Sequence, residues 1–154
     1  MKDRRWPLNE SIFTDLGNYE HIIVGAVRLA VAIALGGVLG LEREEEHKSA
    51  GMRTHMLVSA GACLFVLAPM QAGASIEHLT RVIQGLTTGI GFLGAGTILK
   101  LPKHQVVRGL TTAATIWVTA AVGTAVGIGR LWPALSMAVL ALVVLQILRR
   151  LDPR

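Results

Sequence analysis

The chain has 154 residues, of which 52% are hydrophobic and 16% are charged, with 15 basic and 10 acidic side chains. This length favours a single domain, and charges bunched between long apolar runs are typical of membrane proteins. The basic excess does not indicate a nucleic-acid partner, because the basic residues lie at the ends of apolar runs with no aromatic residues among them.

Residues 1–20 form a polar N-terminal segment. They lack the apolar centre and the small-residue cleavage site of a signal peptide. Four apolar residues in this segment follow helical spacing: Leu8, Ile12, Phe13 and Leu16. This spacing predicts a short amphipathic helix on the membrane surface.

Five apolar runs follow, each close to the 20 residues that a membrane-crossing helix needs. They occupy residues 22–41, 55–73, 79–99, 109–128 and 131–148. The sequence therefore predicts an all-α, polytopic membrane protein with five transmembrane helices in residues 21–150 and a short tail at 151–154. Cys63 is alone within the second run, which excludes an internal disulfide and predicts a small packing residue.

Basic residues in the links predict the orientation of the helices. If the N-terminus lies outside, the inner links hold nine Lys and Arg residues and the outer segments hold four or five. Membrane proteins carry their excess of basic residues on the cytoplasmic side. The N-terminus is therefore predicted outside and the C-terminus in the cytoplasm.

Glycines dominate the third run. In water each would cost a helix about 1 kcal/mol relative to alanine, whereas in a bilayer small residues let helices approach closely. This run is therefore predicted as the central helix around which the others pack. The GxGxxG string within it does not indicate dinucleotide binding, because no acidic residue occurs between Glu77 and Asp152. The glycines predicted to pack are Gly36, Gly40, Gly85, Gly89, Gly91, Gly94, Gly96, Gly123 and Gly127.

Several polar side chains fall inside the predicted spans. Arg28 shares a helix face with Ala32 and Gly36, so snorkelling or a structural pair is favoured over a role with an ion or ligand. Threonines in the fourth run form a stripe that predicts hydrogen bonds between helices, with a solute path as the alternative. The intramembrane polar candidates are Arg28, Arg81, Gln84, Thr115 and Thr119.

Four clusters converge on the predicted cytoplasmic side. They are GLER at 40–43, AGMRTH at 50–55, GIGFLGAG at 89–96 and RGLTTAA at 108–114. Two helices begin there, and their free amide groups favour an anion, while Glu42 is expected to pair with Arg53 or Arg108. The predicted polar site consists of Glu42, Arg43, Arg53, Thr54, His55, Arg108, Thr111 and Thr112.

The acidic run from Glu42 to Glu46, with His47, raises the hypothesis of a Mg²⁺ site. A solvated helical extension with Glu44 paired to Lys48 is favoured instead, so no cofactor is expected. No HExxH or GxSxG motif occurs, which argues against an enzyme. No acidic residue lies within any predicted span, which argues against ion transport by this chain alone.

Read together, the four clusters resemble the MgtC/SapB family of bacterial inner-membrane proteins. GLER, AGMRTHMLV, GIGFLGAG and RGLTTAATIWVTAAVG occur in the family's order and spacing, within residues 25–129. The resemblance implies a multi-pass protein of the bacterial inner membrane that is associated with adaptation to low magnesium. It also implies a modulator that binds other membrane proteins, including ATP synthase and magnesium-transporting P-type ATPases.

Two differences from virulence-type members limit what the resemblance implies. Those members carry an extra cytosolic domain after the fifth helix, and asparagine where this chain has Thr111 and His55. The leading hypothesis is therefore a non-enzymatic membrane regulator linked to magnesium homeostasis. A magnesium or small-ion transporter, alone or as a homo-oligomer, and a structural assembly subunit are the alternatives. The residues expected to form the functional core are Glu42, Arg53, Arg108 and Thr112.

Overall fold

The computed structural model describes residues 19–101 and 106–151. Its elements are α1 (Tyr19–Glu45), α2 (Met52–Gln71), α3 (Ile76–Gly96), β1 (Leu99–Leu101), β2 (Val106–Arg108), α4 (Leu110–Gly127) and α5 (Leu131–Leu151). The five helices coincide to within a few residues with the five predicted runs, and the fold is helical as predicted. The predicted N-terminal surface helix and the end of the tail lie outside the described residues.

Three of the helices, α1, α2 and α4, are long and apolar enough to cross a membrane. Helix α5 carries a shorter apolar stretch, Leu131–Ile147. Helix α3 does not reach the same apolarity, since it combines glycines with several polar side chains. The number of crossings and the orientation of the termini remain predictions.

Helix α2 lies at the centre of the helical packing, between α1 and α4. A Cβ atom added to Gly36 of α1 would lie 2.5 Å from the carbonyl oxygen of His55, and one added to Gly123 of α4 would lie 2.1 Å from that of Ser59. Gly40 and Gly127 make equally close approaches one turn further along each helix. Two GxxxG pairs therefore bring the backbones of α1 and α4 against α2, and the three helices also pack against one another.

Helix α3 lies at the edge of this packing, so the prediction that it is central is wrong. Its buried residues are Ile90 and Gly94. Added Cβ atoms at Gly85, Gly89, Gly91 and Gly96 would meet nothing within 4 Å. The glycines indicate a face that can be approached closely, but their spacing does not identify the helix that approaches it.

A short antiparallel hairpin connects α3 to α4 and is not among the predicted elements. Leu99 pairs with Arg108, Lys100 with Val107, and Leu101 with Val106. The apolar residues flanking a basic link are the local signal, but each strand has only three residues. The hairpin brings the start of α4 against the end of α3.

Candidate functional site

The polar ends of α1, α2, α3 and α4 meet at one end of the structure. In the last turn of α1, Glu42 and Arg43 form a bidentate ion pair in which Arg43 Nη2 donates to Glu42 Oε1 at 2.5 Å and Arg43 Nε donates to Glu42 Oε2. Both side chains are buried, with 7% and 4% of their surface exposed. Glu42 therefore pairs with its neighbour in sequence, and the expected pairing with Arg53 or Arg108 is wrong.

His55 lies fully buried in the first part of α2, beside this ion pair. Its Nδ1 is 2.9 Å from the carbonyl oxygen of Gly51. Its Nε2 and the Ser59 hydroxyl, one turn further along, have no hydrogen-bond partner among the described residues. A buried polar atom without a partner costs about 1–3 kcal/mol, so the close packing of α1 against α2 is maintained against a local penalty.

A cavity of about 530 Å³ opens at the same end of the structure. It lies where the turn after α1, the end of α3, β2 and the start of α4 meet. Its lining residues are His47, Lys48, Ser49, Thr97, Arg108, Gly109, Thr111 and Thr112. Three members of the predicted polar site line this cavity: Arg108, Thr111 and Thr112, which are close neighbours in sequence.

Gly109 sets the position of the first turn of α4 in this cavity. Its φ of 93° lies in the left-handed region, and an added Cβ would clash with the Thr97 carbonyl oxygen, since it would lie far inside their van der Waals contact distance. A glycine is therefore required for the start of α4 to rest on the end of α3. Gly109, Thr111 and Thr112, at this start of α4, line the cavity.

Arg53 and Thr54 do not line the cavity, although they were predicted to belong to the site. Both are exposed on the first turn of α2. That turn is capped by Glu44, whose Oε2 accepts a hydrogen bond from the Met52 amide at 2.9 Å. Glu44 therefore acts on the α2 N-terminus, and the hypothesis of a Glu44–Lys48 pair is not what the structure shows.

Four lining residues come from positions outside the four clusters that the sequence placed at this end: His47, Lys48, Ser49 and Thr97. They lie between the recognised clusters, in a polar connector and at the last turn of α3. The only local sign of a role in this site was that one of them, Lys48, is a basic residue close to the end of α1. Within residues 19–101 and 106–151, no three His, Cys, Asp or Glu side chains lie close enough together to hold a metal ion.

The threonine stripe of α4 faces the interior. Thr112, Thr115 and Thr119 are buried. The hydroxyl of Thr115 donates to the Thr111 carbonyl at 2.7 Å, and that of Thr119 donates to the Thr115 carbonyl at 2.8 Å. The sequence predicted hydrogen bonds between helices, but these two hydroxyls bond within their own helix instead.

Arg28 lies at the opposite end of the helices and has a structural partner. Its Nη1 donates to the carbonyl oxygen of Gly127 at 2.9 Å, in the last turn of α4. The same helix end is closed by Gly129, with a φ of 80°, whose amide donates to the Val126 carbonyl while the Arg130 amide donates to the Ala125 carbonyl. A guanidinium at a helix C-terminus also interacts favourably with the helix dipole.

We expect Arg28→Met to lower the free energy of unfolding by about 2 kcal/mol, since it removes both the charge and the hydrogen bond at the end of α4. Arg28→Lys retains the charge and should recover part of this loss. Thermal unfolding of the purified variants in a mild detergent measures both effects. A methionine variant as stable as the parent chain would show that the contact contributes nothing.

The apolar helices of spanning length, with polar groups enclosed at one end, define a helical membrane protein. The model of the MgtC family matches residues 29–154. The chain belongs to the MgtC family.

Three curated relatives illustrate the extent of the likeness. SrpB of Synechococcus elongatus is 49% identical over 116 residues, covering 68% of this chain and 63% of that protein. "Putative magnesium transporter YhiD" of Escherichia coli K12 is 39% identical over 135 residues, covering 83% and 62%. MgtC of Brucella abortus is 45% identical over 127 residues, covering 82% and 52%. The chain thus spans between about half and two thirds of these relatives, and no solved structure matches it.

Proposed function

We propose that this chain is a non-enzymatic protein of the bacterial inner membrane that binds partner membrane proteins and modulates them in magnesium homeostasis. The observation that carries this proposal is the unoccupied GxxxG face of α3. Of the three GxxxG pairs, those of α1 and α4 contact α2, whereas Gly85 and Gly89 face open space. In a bilayer, such a face is suited to close contact with a further helix.

The side chains around Gly85 and Gly89 support the same interpretation. Arg81, Gln84 and Thr88 are exposed on α3, and neither Arg81 nor the Gln84 side chain has a partner among the described residues. Polar groups facing lipid are costly, and a helix from another protein could satisfy them. By family resemblance, the partners to test first are magnesium-transporting P-type ATPases and ATP synthase.

The packing among the described helices supports a regulatory role rather than ion transport by a single chain. The α1, α2 and α4 backbones are in contact, and the hydroxyls of Thr115 and Thr119 are engaged with their own helix. The name of the Escherichia coli relative favours the alternative, magnesium transport. Proteoliposomes that contain this chain alone should show no Mg²⁺ flux above empty vesicles, and clear flux would favour transport.

The expected effect on partner binding is tested with Gly89→Leu, which places a bulky side chain on the open face of α3. Co-purification with a co-expressed magnesium-transporting P-type ATPase, or with ATP synthase, should fall at least about tenfold. This corresponds to about 1.4 kcal/mol of binding free energy. The matched control is Gly61→Leu on α2, because an added Cβ there also meets nothing within 4 Å.

Three results would contradict the proposal. One is equal loss of co-purification for the two leucine variants. Another is unchanged co-purification for Gly89→Leu. The third is co-purification that stays intact while size-exclusion chromatography shows that Gly89→Leu dissociates a homo-oligomer, which would assign the α3 face to self-association.

A further inference from the structure

We propose that the cavity at the start of α4 binds a phosphate group, supplied either by an anionic phospholipid headgroup or by a soluble phosphate compound. This site goes beyond the regulation proposed above, because it concerns a ligand of the chain itself. It is built from the α4 N-terminus, two basic residues and a buried threonine that lacks a partner.

The first observation is the uncapped start of α4. The first amide groups of a helix have no acceptor within the helix. In α2 the Glu44 carboxylate accepts from the Met52 amide, and in α3 the Ser75 hydroxyl oxygen accepts from the His78 amide. The N-cap residue of α4 is Gly109, which provides no side-chain cap, and the first turn holds no acidic residue. An anion would supply the missing acceptor.

The second observation is Thr112, which lines the cavity and has only 2% of its surface exposed. Its hydroxyl has no hydrogen-bond partner in the part of the chain that the structure describes. The neighbouring hydroxyls of Thr97 and Thr115 both donate to carbonyls of their own helices. Thr112 is therefore a largely buried side chain that lines the cavity and whose hydroxyl is free for a ligand.

The third observation is the charge around the cavity. Lys48 and Arg108 line it from two sides, and none of the described lining residues is acidic. The nearest buried carboxylate described, Glu42, is neutralised by its pair with Arg43. An arginine and a lysine beside free backbone amides are well matched to the several oxygen atoms of a phosphate.

The size and position of the cavity agree with a phosphate that carries an organic group. A volume of about 530 Å³ exceeds what an inorganic phosphate needs and falls within the usual range for small-molecule sites. The cavity lies at one end of the apolar helices α1 and α4, and a bilayer that these helices cross would meet water at that level. Lipid headgroups and soluble phosphates can both reach such a position.

The test uses the full chain, purified in a neutral detergent, with two probes. Inorganic phosphate is titrated while thermal unfolding is followed, and the protein is separately placed in nanodiscs of phosphatidylcholine with or without phosphatidylglycerol. We expect phosphate, phosphatidylglycerol or both to raise the unfolding temperature in a concentration-dependent way. Stabilisation by phosphate in detergent assigns a soluble source, and stabilisation by phosphatidylglycerol alone assigns a lipid.

Whichever probe stabilises the parent chain should bind about tenfold more weakly to each of three variants: Arg108→Gln, Lys48→Gln and Thr112→Val. Lys48 is exposed in a turn, so Lys48→Gln tests the site without disturbing the packing. Arg53→Gln is the matched control, because it removes one exposed positive charge at the same end but outside the cavity. The absence of any stabilisation by either probe, or an equal loss for Arg53→Gln and Arg108→Gln, would overturn the proposal.

Discussion

Gly123→Ala is expected to destabilise the chain by about 3 kcal/mol or more. The added methyl group would lie 2.1 Å from the Ser59 carbonyl oxygen, 2.8 Å from its carbon and 2.9 Å from its Cα. All three atoms belong to the α2 backbone, so no flexible side chain can move to relieve the clash. The helices must separate, which removes contacts along the whole α2–α4 interface. Thermal unfolding in detergent measures the loss.

Two matched variants separate this clash from the general cost of replacing a glycine. Gly61→Ala and Gly85→Ala place the same methyl group where nothing lies within 4 Å. In helices, alanine is favoured over glycine by about 1 kcal/mol, so both variants should be as stable as the parent chain or more so. An unfolding temperature for Gly123→Ala equal to that of these controls would show that α4 does not contact α2 as described.

Glu42→Leu is expected to lower the free energy of unfolding by about 3–5 kcal/mol. The substitution leaves Arg43 charged and buried without its partner, and an uncompensated buried charge is among the costliest defects in a folded protein. Glu45→Leu is the matched control, since it removes an exposed carboxylate from the same turn of α1. The control should change stability by no more than about 0.5 kcal/mol.

The double variant Glu42→Leu/Arg43→Leu identifies the cause. Because removal of both charges leaves no unpaired group, the double variant should be more stable than Glu42→Leu alone. A double-mutant cycle from the same unfolding measurements gives the coupling between the two side chains. A double variant that loses the sum of the two single effects would show that the ion pair is not the reason for the loss.

The two proposals place the phosphate site and the partner-binding face at different parts of the chain, the start of α4 and the open face of α3. The contacts of Gly36, Gly40, Gly123 and Gly127 hold α1, α2 and α4 together. The open pair Gly85 and Gly89 is free to contact a partner helix. Loss of phosphate binding by Arg108→Gln with retained partner binding would establish that the two sites are independent.

Much of the fold could be predicted from the sequence because apolar length is a local property. The five runs were long enough to be recognised as helices, and the glycine and threonine positions on α4 followed from helical spacing. The family likewise followed from short motifs whose order can be read directly. For Arg28 the sequence favoured snorkelling or a structural pair, and the structure shows a hydrogen bond to Gly127, a partner distant in sequence that the sequence did not name.

Which side chains contact each other could not be predicted in the same way. Glu42 pairs with Arg43 rather than with Arg53 or Arg108, a choice that depends on which side chains the folded chain buries together. Lys48, Ser49 and Thr97 join the cavity only because the α3–α4 hairpin and the turn after α1 end at the same place.

The sequence by itself determined that the chain is a set of apolar helices with polar ends, because helix length and hydrophobicity depend on neighbouring residues alone. Only the tertiary structure decided that α2 is central and α3 peripheral. Three helices carry the same GxxxG spacing, and which of them are covered depends on how the backbones pack in space.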